Sequence, residues 1–158
     1  MAKKRKSAFG PEAFNYTLNN PKKYTGKLPV ICRSGLEKGA IWKMDNNPSI
    51  KSWGSESVVI KYFDPVKNKV RRYFMDLNFI VIDAKTKREK QFLVEVKPAG
   101  QCVRPIRGKK QEKTFINESL TYATNIAKWR ATRKLCDVKG WEFLLWTENG
   151  VSPFREEL

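Results

Sequence analysis

The stretch FLVEVKP, residues 92–98, alternates as a β-strand does. Phe92, Val94 and Val96 fall on one face by the period of two, and Leu93, Glu95 and Lys97 fall on the other. Pro98 has no N–H to give to a ladder and ends the run. An acid and a base two residues apart on one strand face call for a reason, and the segments on either side supply the setting.

Upstream, residues 70–83 (VRRYFMDLNFIVID) read as one long strand with Tyr73, Met75, Leu77, Phe79 and Val81 on one face. Asp76 falls on the other, with Phe74 and Asn78. Before it, SVVIKYF (57–63) alternates through Val58, Ile60 and Tyr62, and DPVKNK is a turn by composition. The charged loop AKTKREK leads into the strand at 91–97, and the short connections predict an antiparallel meander. Pairing about a hairpin centre near residues 86 and 87 sets Glu95 opposite positions 77–79, one or two residues from Asp76.

The flanks are helical. In RSGLEKGAIWKMDNNP, Ser34 and Glu37 have the spacing of a capping box, and Leu36, Ala40, Ile41 and Met44 form a stripe. SWGSE then reads as a turn. A long basic loop (98–113) precedes a helix predicted over 114–136, with Ile116, Leu120, Ala123 and Ala127 as its apolar stripe and Gly140 beyond its end. WEFLLW (141–146) is the last strand. The order α-β-β-β-α-β, with a helical crossover before the final strand, predicts an α/β fold: a mixed sheet with one parallel pair, flanked by helices. Residues 1–30, which include KKRK, read as a basic arm, and 31–158 as a single domain.

Composition narrows the chemistry. Thirty-two Lys and Arg against 16 Asp and Glu give a net charge of +16, which points to a polyanion, nucleic acid ahead of a ribosomal or membrane-surface setting. No stretch is apolar for long enough to span a membrane, and the basic start has no apolar segment of a signal peptide behind it. The three cysteines, Cys32, Cys102 and Cys136, are scattered, as in reduced cytosolic proteins. The chain has no histidine, which argues against zinc sites, Ser-His-Asp triads and nucleases with a histidine base. Hydrolysis here has to run on carboxylates, lysine and a metal ion.

Asp76 and Glu95 at cross-strand or diagonal distance, about 5–7 Å, can share a divalent ion. Mg²⁺, or Mn²⁺ in its place, prefers such oxygen ligands, and Lys97 then supplies a cation for a phosphodiester. The same spacing also describes a solvent-facing strand with a cross-strand salt bridge, the commoner case when spacing alone is considered. Arg104, Arg107, Lys109 and Lys110 in the basic loop are the best contacts for a DNA backbone. Aromatic residues do not interleave with them, which favours duplex over stacked single strands. Asn117, Asn125 and Lys128 lie near one side of the long helix, where they serve either phosphate contact or a solvated face.

Asp76 followed by Glu95-Val96-Lys97 resembles the PD-(D/E)xK motif of the restriction-endonuclease-like nucleases, with Met75 where that superfamily often has proline. The ordered set RSGLE, WGSE, RRYFMD, VEVKP, FINE, KW and TENG, spread over residues 21–150, resembles the head-completion nucleases of tailed phages with contractile tails. These are similar to the TnsA-type endonuclease subunit of certain transposons. The resemblance implies Asp76 and Glu95 as metal ligands, Lys97 as the catalytic lysine and Glu37 as a third acid, although Glu37 also fits the capping box. Gln101 is placed to reach a phosphate or a ligand water, and Glu56 to support the acids or to stand as a surface charge. The resemblance further implies a Mg²⁺-dependent DNA endonuclease that finishes the filled head before tail joining. Its partners would be double-stranded DNA and the portal or neck proteins, and its location the infected bacterial cytoplasm or the virion. Two other readings stay open: a non-catalytic basic head or portal protein, and a recombination nuclease that cuts transposon ends or resolves junctions.

Overall fold

The computed structural model describes residues 13–155. Its centre is a five-stranded mixed sheet in the order β3-β6-β7-β8-β9. β3 is Ile50–Ser55, β6 Leu77–Ile82, β7 Glu89–Val96, β8 Glu142–Thr147 and β9 Gly150–Pro153. Only β7 and β8 run parallel, and they are joined by the long helix α2 (Glu112–Lys139). The expected mixed α/β class holds, with helices on both faces.

β7 is the middle strand, and both of its faces are buried. Val94 packs under α1 (Gly35–Asn46) with Trp53, Leu77, Ala40, Ile41 and Met44. Leu93 packs on the other side with Trp129, Phe143, Leu145 and Phe154. Full burial of Leu93 or Val94 contributes about 1.5–3 kcal/mol each. The face that carries Glu95 is therefore covered, and a solvent-facing salt bridge does not describe it.

Three expectations need correction. The strand predicted over 70–83 is two strands, β5 (Lys69–Phe74) and β6, broken at Met75 and Asp76. The phase slips there: Tyr73 and Met75 belong to the α2 side, while Leu77 joins the α1 side. β4 (Val59–Asp64) pairs only with β5, as a ribbon separate from the main sheet whose inner face packs on α2. SWGSE is not a turn: Trp53-Gly54-Ser55 lie in β3, antiparallel to β6. Gly54 is needed there, because an added Cβ would lie 2.5 Å from Ser57 Oγ and 3.1 Å from Asn78 Oδ1.

α2 begins and ends near its predicted limits, and Gly140 closes it in the left-handed conformation (φ 71°). Its buried stripe differs from the one expected. Asn125, Trp129, Thr132 and Cys136 face the core, whereas Ile116 and Leu120 are exposed. The sheet covers only the C-terminal half of the helix, so the apolar periodicity of the first half does not report the core. Trp53 and Trp129 are buried, as expected of core tryptophans, but Trp42 is exposed.

Much of the expected arm is folded onto the domain. β1 (Phe14–Tyr16) pairs with β2 (Val30–Cys32). The buried Asp45 carboxylate accepts hydrogen bonds from Tyr16 Oη (3.0 Å) and from the backbone N–H groups of Asn19 (2.7 Å) and Asn20 (3.0 Å). No break in packing falls at residue 30, and the KKRK run lies outside the described residues. Among the described residues no helix is long and apolar enough to cross a membrane.

Candidate active site

The hairpin register is tighter than the sequence suggested. Leu77 pairs with Val94 and Asn78 with Leu93, so Asp76 stands directly across from Glu95. The Asp76 carboxylate accepts from the backbone N–H of Val96 (2.9 Å) and its carbonyl accepts from Glu56 N–H (3.1 Å). Glu56 holds a left-handed backbone (φ 53°) and its carboxylate pairs with Arg33. A non-glycine residue rarely adopts that conformation, so Glu56 braces Asp76 at some conformational cost.

Glu95 is only 3% exposed, deep for a carboxylate. Lys97 Nζ lies 3.1 Å from its Oε1, and Tyr73 Oη donates to its Oε2. Tyr73 was read only as a strand-face residue. What marks it is its place on β5 just before the break, where the phase slip turns it towards the acids.

The electrostatics follow from burial. Burial first, and then the Glu95 carboxylate, hold Asp76 well above the ordinary aspartate range, while the Val96 N–H partly counters them. Burial pulls the Lys97 ammonium down, but Glu95 and then Asp76 outweigh it and leave Lys97 raised and charged. Tyr73 is pushed well above its usual value by burial and by both acids.

Glu37 sits beside this group in a double role. Ser34 Oγ accepts from Glu37 N–H, which caps the helix, but Glu37 Oε2 accepts from the N–H of Arg33 rather than of Ser34, so the reciprocal half of the capping box is displaced by one residue. Its other oxygen, Oε1, is buried without a hydrogen-bond partner. Burial raises its pKa, the Arg33 N–H and side chain oppose that, and the nearby Glu56 and Glu95 charges add to it. Among the described residues, no three His, Cys, Asp or Glu side chains are grouped closely enough to hold a metal ion. The donor set nevertheless suits a hard divalent cation. The Glu95 carboxylate beside Asp76 makes ionisation of Asp76 costly, which a cation would relieve, and a third acid nearby has an oxygen with no partner.

The other sequence-predicted residues divide into two places. Gln101, Arg104, Lys110, Asn117 and Asn125 line one cavity of about 510 Å³ between the basic loop and the first half of α2. Arg107 and Lys109 are exposed on the same loop. Lys128 lies elsewhere: its ammonium is 5.1 Å from the Tyr73 ring and 5.9 Å from the Tyr62 ring. Burial lowers its pKa, and the Glu95 charge, the first of its neighbours, opposes the shift. The site thus has one lysine on the acid strand and a second on the helix that covers it.

Comparison with known proteins identifies the family. Residues 47–148 match the family described as TnsA-like endonuclease N terminal, and the match contains Asp76, Glu95 and Lys97. The chain is 36% identical over 137 residues to the protein named Head completion nuclease of Enterobacteria phage T4, covering 84% of this chain and 88% of that protein. No solved structure matches the chain. The match over residues 47–148 and the similarity to the phage T4 nuclease show that the chain belongs to the TnsA-like endonuclease family.

Proposed function

We propose that the protein is a Mg²⁺-dependent endodeoxyribonuclease that hydrolyses phosphodiester bonds in double-stranded DNA. The observation that carries the reading is the pair of the half-buried Asp76 and the buried Glu95, with Lys97 beside it. Asp76 and Glu95 would hold the ion, with Glu37 Oε1 as the nearest spare oxygen, and Mn²⁺ would serve in its place. When bound, the ion supplies Lewis-acid charge to a phosphate and makes water more acidic.

The side chains of the chain itself do the rest. Lys97 stays protonated between the acids and faces the charge that develops on the phosphoryl oxygens. Lys128 adds a second, partly desolvated cation from the other wall. Tyr73 holds Glu95 in one orientation, and the Val96 N–H holds Asp76. The basic loop, with Arg104, Arg107, Lys109 and Lys110, tracks the DNA backbone, and Gln101, Asn117 and Asn125 line the groove beside it.

The name of the phage T4 relative supports a role in head completion, and we extend this to head–tail joining after packaging. Portal or neck proteins are then the partners, and the infected host cytoplasm or the virion is the location. Incubating supercoiled plasmid with the protein, with and without Mg²⁺, tests the reading. Nicking that needs the ion and is lost in Asp76→Asn and Glu95→Gln is expected. Wild-type protein inert with both Mg²⁺ and Mn²⁺ would leave a structural head protein as the better account.

A further inference from the structure

The β4–β5 ribbon turns one face to α2 and the other to solvent. The inner face is conventional: Ile60, Tyr62, Asp64 and Tyr73 are buried. The outer face is not. The register sets Val59 across from Phe74, Lys61 across from Arg72 and Phe63 across from Val70. Val59 is 45% exposed, Phe63 54%, Val70 65% and Phe74 46%. Two phenylalanines thus stand in water at opposite ends of the face, with two cations between them.

Like charges directly across an antiparallel pair are destabilising. Among the described residues no acid forms an ion pair with Lys61 or Arg72. With Lys69 and Arg71 they line a shallow concavity of about 510 Å³ that Phe74 helps to wall, and the Arg72 guanidinium lies 5.6 Å from the Phe74 ring. Exposed apolar side chains interleaved with unpaired cations suit an interaction surface, and the sign here asks for an anion. The basic N-terminal run (Lys3, Lys4, Arg5, Lys6) has the same sign and does not complement the face.

Length and position identify the occupant. Val59 to Phe63 spans about 13 Å, the rise of roughly four stacked bases. Phe74 precedes Asp76 by two residues, a separation of at most about 7 Å between Cα atoms, so the face starts beside the acids and leads away from them. Alternation of aromatic rings and cations is how proteins hold unpaired bases, whereas duplex backbone needs cations alone. We infer that the outer face of the ribbon binds an unpaired DNA strand, with Phe63 and Phe74 as stacking platforms and Lys61 and Arg72 on the phosphates between them. This rests on the nuclease reading and narrows its substrate to duplex DNA with a single-stranded extension: the basic loop takes the paired part and the ribbon the unpaired part.

Metal-free fluorescence anisotropy on three labelled probes tests the inference: a single strand, a blunt duplex and a duplex with a single-stranded extension. Phe63→Ala and Phe74→Ala should each weaken binding of the first and third about 5- to 100-fold and change the blunt duplex by about twofold or less. Lys61→Ala and Arg72→Ala should weaken the first and third, each lowering the salt slope on those probes by about 1, and change the blunt duplex little. The Phe63→Leu/Phe74→Leu double variant keeps the apolar surface without the rings and should behave like the alanine variants. Thermal melts confirm that these solvent-facing substitutions fold.

Equal losses on all three probes, no loss, or full binding by the leucine variant would overturn the inference. So would sedimentation showing a wild-type dimer that the alanine variants dissolve, because the face would then join two copies. Because the readout needs neither metal nor cleavage, failure of plasmid nicking and failure of the ribbon are separate results.

Discussion

Replacing Asp76 by Asn should stabilise the metal-free protein and abolish its response to Mg²⁺. The substitution keeps the shape and the oxygen that accepts from Val96 N–H, while it removes one of two facing acids. Cβ atoms directly across two strands lie about 4.5–5.5 Å apart, and two unit charges about 5 Å apart repel by about 3 kcal/mol at an effective dielectric constant near 20. Lys97, 3.1 Å from Glu95 Oε1, offsets much of that. A net gain of about 1–2 kcal/mol remains, or about 2–8 °C in melting temperature for a chain of this length.

The pH dependence gives the sign. The folded pKa of Asp76 lies above its unfolded value of about 3.9. The protonated carboxyl therefore favours folding below about pH 4, and that contribution is lost as pH rises through the folded pKa. Melts in EDTA should show the Asn gain at about pH 7.5 and little of it at about pH 4. Saturating Mg²⁺ should then raise the wild-type midpoint, by about 2.7 kcal/mol of stability at a hundred times the dissociation constant, and leave the Asn variant nearly unmoved. A variant less stable than wild type at neutral pH, or a gain independent of pH, would refute the facing-acid account.

Three further outcomes are expected. Lys97→Met should cut Mg²⁺-dependent cleavage about 10²- to 10⁴-fold while the Mg²⁺-induced melting shift persists; loss of that shift would make Lys97 part of the ion's hold. Tyr73→Phe leaves a buried oxygen of Glu95 without its donor and should lower stability by about 1–3 kcal/mol, read from urea melts, with an unchanged midpoint counting against the bond. Neutralising Arg104, Arg107, Lys109 and Lys110 together should reduce the salt slope of duplex binding by about 2–4, and an unaltered slope would place the backbone contacts elsewhere.

Most of the skeleton was legible because periodicity and caps are local. Ser34 and Glu37 announced α1: Ser34 caps it through Glu37 N–H, although the Glu37 carboxylate bonds back to Arg33 N–H rather than to Ser34. Gly140 marked the end of α2, and the alternation of residues 92–96 marked β7. The losses came where tertiary packing overrode local pattern. Trp53-Gly54-Ser55 has turn composition, yet it is a strand because Trp53 fills the α1 core and Gly54 admits the close approach of Ser57 and Asn78. The apolar stripe of α2 misled because its first half has no sheet beneath it, and the residues that do meet the sheet include the polar Asn125 and Thr132.

Asp76 shows why a site can be half legible. Residues 70–83 alternate without interruption, and nothing in that pattern announces that the faces exchange at Met75 and Asp76. The exchange has a physical cause. Tyr73 and Met75 must pack against α2 with the ribbon, and Leu77 must pack under α1 with the sheet, so the chain crosses from one core to the other between them. The crossing residue cannot sit fully in either core. It needs backbone partners from outside the ladder, which Glu56 N–H and Val96 N–H provide. An acid placed there is fixed in position, partly desolvated and held against Glu95, the state in which a carboxylate gains most from a cation. A continuous period of two therefore located the strands but concealed the break at Met75 and Asp76, where the sheet stops being regular and where the proposed metal ligand stands.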